Sequence, residues 1–158
     1  MQEIIQKYSL AIVLGIFGLI GFALIWFSTP WGIGVGYDSI FYLSAADNLL
    51  SGQGLSRLDG YGNLIPLTHF PPFYSISIAG LSFIGGFESD IAARILASVF
   101  FAFLVGLSGW MIYRYTRSLL ACTLGAALVL VSPVLLDVSF MAMSELLFLV
   151  LLLLMVHY

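Results

Sequence analysis

Apolar residues fall in long blocks along this chain, and one extended polar stretch separates the first block from the rest. Leu10 to Phe27 is an uncharged run, about 27 Å long as a helix against a hydrocarbon core of roughly 30 Å, so a first membrane span is expected over 10–27. An uncleaved anchor is favoured over a signal peptide, because the run exceeds the usual signal core, no A-x-A-like site follows it and Pro30 lies just beyond. The polar stretch Gly36 to Pro72 comes next and holds most of the groups able to do chemistry. Gly32, Gly34 and Gly36 read as a flexible entry to it. Asp38 opens a helix expected over 38–51, ended by the turn signal Ser51-Gly52. On its wheel Phe41, Tyr42, Ala45, Ala46, Leu49 and Leu50 share one arc, opposite Ser44, Asp47 and Asn48. Such a helix lies along a membrane surface.

The segment 72–86 is apolar too, but it reaches only about 22 Å and carries Ser75, Ser77, Gly80 and Ser82. It reads as a second interfacial helix. Glu88, Ser89 and Asp90 form an acidic, capping start for a span over 91–113. Arg114 to Arg117 make a tight turn, and a third span returns over 118–136, with Pro133 near its end. Asp137 to Ser144 is a short outer segment, and a fourth apolar stretch occupies 142–158. From Glu145 onward that stretch covers little more than half a bilayer, which points to a fragment of a larger protein.

Composition agrees with this pattern. With 61% hydrophobic and 8% charged residues and a mean hydropathy of +1.11, the chain reads as an integral membrane protein. The fold class expected is therefore all-α and polytopic: about four transmembrane helices, and two interfacial helices in an extracytoplasmic loop over 28–90. Lys7, Arg114 and Arg117 set the N-terminus and the turn after the second span in the cytoplasm. Every acid except Glu3 then falls outside, which favours chemistry at one membrane face. No basic patch points to nucleic acid. The lone Cys122 sits in an apolar run and reads as packing.

Among the polar groups, Asp47, Asp59, Glu88 and Asp90 read as solvated acids. Asp38 and Glu145 each stand where an outer segment meets an apolar helix, as N-caps or as partly desolvated carboxylates of raised basicity. Arg94, in the first turn of the second span, either snorkels to the headgroups or faces an anionic substrate. His69 precedes Phe70-Pro71-Pro72; it packs at the surface, donates to a phosphate or ligates a metal. No H-x-x-x-H, C-x-x-C, DxD, Walker loop, G-x-S-x-G or G-x-G-x-x-G pattern is present.

Several of these pieces recur together. One span is followed by Gly36-Tyr37-Asp38 with Tyr42 one turn on, Ala46-Asp47-Asn48-Leu49-Leu50-Ser51-Gly52-Gln53-Gly54, and His69-Phe70-Pro71-Pro72-Phe73-Tyr74. After them come Ala92-Ala93-Arg94-Ile95-Leu96, Ser132-Pro133 and Ser144-Glu145-Leu146-Leu147-Phe148. In order and spacing this resembles the N-terminal region of GT-C fold membrane glycosyltransferases, specifically the bacterial members related to protein mannosyltransferases and the lipid A aminoarabinose transferase. The resemblance implies an inverting enzyme of the cell membrane. It would move a sugar from a polyprenyl-phosphate donor to a lipid, glycan or protein acceptor on the extracytoplasmic face.

By the same resemblance, Asp38 matches the general base and Glu145 an acid that binds metal or positions substrate. Tyr42, His69, Arg94 and Arg57 are candidates for substrate or phosphate binding, and a divalent metal is a possible cofactor, with Glu145 and His69 the candidate ligands. The lipid A members carry a Glu two residues before the double proline, where this chain has His69. The rival expectations are a noncatalytic membrane protein, such as a transporter half or an assembly subunit, and an inactive truncated piece of the same fold.

Overall fold

The computed structural model describes residues 2–59 and 61–157, with side chains from Tyr8 onward. Seven helices and one small hairpin make up the described residues: α1 Gln2–Ser28, α2 Tyr37–Leu50, β1 Ser56–Leu58, β2 Leu64–Pro66, α3 Pro72–Gly85, α4 Ser89–Thr116, α5 Leu119–Leu130, α6 Pro133–Ser139 and α7 Glu145–His157. The fold is helical apart from the hairpin. Two helices, α1 and α4, are long and apolar enough to cross a membrane, and α5 with α6 makes a third if that bent pair is one span. The other apolar helices, α3 and α7, are shorter.

α1 and α4 form the central pair. Small residues let them approach closely: a Cβ at Gly21 would lie 3.4 Å from Phe101 and 3.6 Å from the Cα of Ala102, and one at Gly18 would lie 3.6 Å from the carbonyl of Ala102. One at Gly109 would lie 3.0 Å from Leu14. Early residues of α1 thus meet late residues of α4, so the helices are antiparallel. The chain leaves α1 and enters α4 at the same end, and the Arg114–Arg117 turn lies at the other. The Lys7 side chain, used above to orient the chain, lies outside the described side chains.

The arginine on α4 joins the two helices at their shared end. Arg94 Nε donates to Thr29 Oγ1 at 3.0 Å and Nη2 to the Trp26 carbonyl at 2.5 Å, while its guanidinium lies 3.9 Å from the Trp26 ring centroid. A cation is thereby placed on the carbonyl end of α1, the negative pole of its dipole.

Gly109 also touches α5, where its Cβ would come within 3.2 Å of Ala126. Arg117 ends α4 in the left-handed region at φ 55, and Ser118 then caps α5 by accepting from the Ala121 N–H at 3.2 Å. The expected third span is interrupted. Pro133 does not sit inside a continuing helix but opens α6, bent 55° from α5, because proline lacks the donor an interior position needs and fits the first turn. Residues read as a short outer segment therefore include a helix. α7 starts at Glu145 and runs beside α4, with the His157 ring 4.4 Å from that of Trp110 and its Nε2 3.2 Å from Arg114.

α2 and α3 form a layer across the other end, packed on each other and on α4. Ala45, Ala46, Ala92 and Ala93 are fully buried, and these small side chains let the helices close up. Tyr42, Tyr74 and Ile78 fill the space between. Leu50, expected on the packed arc of α2, is exposed, and Ser39 is buried instead. Outward-facing apolar residues, such as Leu120, Leu124, Leu128 and Val131 on α5 and Phe148, Leu151 and Met155 on α7, form stripes suited to hydrocarbon.

Candidate functional site

The site is built where α2, α3 and the start of α7 meet. Tyr42 is only 4% exposed, and its hydroxyl lies 2.8 Å from Ser144 Oγ, directly before Glu145. One turn earlier on α2 stands Asp38. Burial raises the Tyr42 phenol above its ordinary value, the Ser144 hydrogen bond works against that, and the carboxylates of Glu145 and Asp38 both raise it further. The Tyr42–Ser144 bond thus ties two helices about 100 residues apart in sequence.

Neither element is held loosely. Between Ser139 and Glu145 the chain is extended and bridged to the strand-like entry of α2: Gly34 N–H donates to the Phe140 carbonyl at 2.7 Å, and Ala142 N–H donates to the Gly34 carbonyl at 2.9 Å. A Cβ at Gly34 would come within 2.7 Å of that Phe140 oxygen, so only glycine allows this approach. Gly34 is thus a docking point in the segment read as a flexible entry. α2 begins at Tyr37, after Gly36, whose N–H donates to Ser39 Oγ at 3.0 Å. Asp38 is consequently not the N-cap. It lies in the first turn of the helix, half-exposed.

Aromatic rings extend the site. Phe70 stacks on Phe41 at 4.9 Å between centroids and meets Tyr42 edge-on at 5.4 Å; Tyr42 in turn meets Tyr74 edge-on at 5.2 Å. His69 is exposed, its ring edge-on to Phe70 at 5.3 Å. The Arg57 guanidinium, carried on β1, lies 4.9 Å from the centroid of Phe41. Arg57 and His69 thus both contact the Phe41–Phe70 pair that packs on Tyr42. Arg94 does not join them, since its donors serve Trp26 and Thr29.

Tyr74 was not among the residues singled out from sequence. It is 1% exposed, its hydroxyl has no hydrogen-bond partner among the described residues, and burial pushes its phenol upward, with Tyr42 and Glu145 adding to the rise. Its place in the chain, after the double proline, carried the only signal.

The remaining acids have local duties. Asp47 accepts from Ser89 Oγ, tying α2 to the first turn of α4. Asp59 accepts from the backbone N–H groups of Tyr61 and Asn63 at 2.8 Å each and from Asn63 Nδ2 at 3.0 Å, which shapes the hairpin turn and holds its carboxyl below the ordinary value, chiefly through the Asn63 side chain. Among the described residues no three His, Cys, Asp or Glu side chains come together as a metal ligand set. Glu145 and His69 therefore belong to no such set. Compared with the models of known protein families, with curated proteins and with solved structures, the chain matches none.

Proposed function

We propose that this chain carries the acid-bearing part of a membrane glycosyltransferase, which moves a sugar from a polyprenyl-phosphate donor to an acceptor hydroxyl at the extracytoplasmic face. In this reading α1, α4 and the α5–α6 pair cross the membrane, α7 starts a fourth crossing, and α2 and α3 lie at the outer boundary. The N-terminus and the Arg114–Arg117 turn are cytoplasmic.

Asp38 is the general base. As the acceptor oxygen attacks the anomeric carbon, its proton passes to the Asp38 carboxylate, the bond from that carbon to the phosphate oxygen breaks, and polyprenyl phosphate departs with inversion at the carbon. Arg57 and His69, on the aromatic pair that packs on Tyr42, offset the charge gathering on the departing phosphate. Glu145 and Tyr42 hold the sugar or acceptor hydroxyls. Tyr42 stays protonated at neutral pH because burial and both acids disfavour its anion, so it is available as a donor.

The observation that carries the reading is the Tyr42–Ser144 bond, which fixes α2, with Asp38 in its first turn, to the head of α7 at Glu145. A transporter would instead place such groups within its helices near the bilayer midplane. The test is Asp38→Asn in the full-length protein, assayed with labelled polyprenyl-phosphate sugars. Transfer is expected to fall by about 100-fold or more, with membrane insertion unchanged. Undiminished turnover would rule out Asp38 as the base.

A further inference from the structure

Towards the far end of α1 and α4 from Asp38, their shared surface opens into a groove of about 600 Å³. Its floor includes Gly15 and Gly106, around which a Cβ would meet nothing within 4 Å, and its wall includes Phe22, Phe103 and Trp110. From Val99 to Trp110 it follows α4 for about 17 Å, close to the ~15 Å depth of one leaflet of the hydrocarbon core. All the lining residues are apolar or glycine, so what lies in the groove brings no polar group to that depth.

The groove has a polar end. Trp110 lines it, the Arg114 guanidinium lies 5.8 Å from the Trp110 ring centroid, and His157 Nε2 lies 3.2 Å from Arg114. Arg117 follows one turn on, exposed in the αL cap. A cation thus stands at the mouth of a leaflet-deep apolar slot.

We infer that this slot is a binding site for one acyl chain of an anionic phospholipid from the leaflet at the Arg114 end, with the lipid phosphate held by Arg114 beside Trp110. The slot supplies the chain contact and the guanidinium supplies headgroup preference. This inference does not depend on the transferase reading.

The test uses the full chain purified in detergent, with retained lipid measured by native mass spectrometry after mixing with palmitoyl-oleoyl phosphatidylglycerol or the matching phosphatidylcholine. Wild type is expected to retain the phosphatidylglycerol about fivefold more, the preference one basic residue near a headgroup provides. Arg114→Gln should bring both lipids to one level. Gly106→Leu, or Gly15→Leu should the first fail to fold, should remove retention of both by filling the slot. Equal retention of the two lipids by wild type would overturn the inference. So would undiminished retention in the leucine variants, or a wild-type dimer that Gly106→Leu converts to monomer, which would assign the slot to a second helix.

Discussion

Two tyrosines of the same cluster have opposite relations to their hydroxyls. Tyr42 has a partner at 2.8 Å in Ser144, whereas the buried Tyr74 hydroxyl has none among the described residues. Removing a made hydrogen bond costs about 1 kcal/mol, and removing an unpaired buried hydroxyl relieves a desolvation cost of about 1–3 kcal/mol. Tyr42→Phe is therefore expected to lower stability by about 1 kcal/mol, and Tyr74→Phe to leave it unchanged or raise it, both measured by thermal unfolding in detergent. The Tyr42 contribution is also pH-dependent. Its folded-state pKa is raised, so the protein binds that proton more tightly when folded; this stability is complete below about pH 10 and is lost as pH rises through the folded value. A wild type that keeps its advantage over Tyr42→Phe in strong alkali would contradict this.

At this scale the sequence showed which groups were unusual but not what each would touch. Asp38 and Glu145 stood out at the junctions of outer segments with apolar helices, whereas the Tyr42–Ser144 bond and the Phe41–Phe70 pair that carries Arg57 and His69 had no local sign. Arg94 stood out for the same reason, yet its partners are the Trp26 carbonyl and Thr29, and no local pattern connects residues so far apart. Tyr74 was hidden because an aromatic in an apolar helix looks like ordinary packing.

Among the elements, hydropathy blocks located the long helices well, since burial in lipid demands an unbroken run and leaves little choice of period. α2 and α3 fall within one residue of their expected bounds. What failed was the connecting structure. The hairpin between β1 and β2 had a local sign in Asp59-Gly60, and Asp59 does shape its turn, but three-residue strands are too short for alternation to stand out. The Gly34–Met141 bridge pairs segments that have nothing in common locally. It also makes a prediction. Gly34→Ala forces a methyl against the Phe140 carbonyl, so the bridge must part, at about 1–3 kcal/mol, and the Tyr42–Ser144 bond should weaken with it. Thermal unfolding measures the first effect. A drop in the proposed sugar transfer larger than that of a surface Gly→Ala change, such as Gly80→Ala, measures the second.

For the whole molecule, the antiparallel pairing of α1 with α4 orders everything else. Arg114 and Arg117 gather at one end, and Asp38, Asp47, Glu88 and Asp90 at the other. Single cysteines introduced as Arg57→Cys, Phe87→Cys and Tyr115→Cys, in a Cys122→Ala background, report on both. The first two are expected to react with an impermeant maleimide added outside intact cells, and the third only after permeabilisation. Labelling of position 115 from outside would invert the arrangement and set the acids in the cytoplasm.

The clasp of Arg94 on the last turn of α1 has a consequence for how such a protein can change. The excursion between α1 and α4 leaves and returns through one doorway, where Arg94 and the Asp47–Ser89 contact both bear on the junction. Its other ties, Gly34 to Phe140 and Tyr42 to Ser144, reach the segment that leads into α7. A change of length or sequence in the excursion therefore has to be matched in that distant segment, so the two vary as a pair.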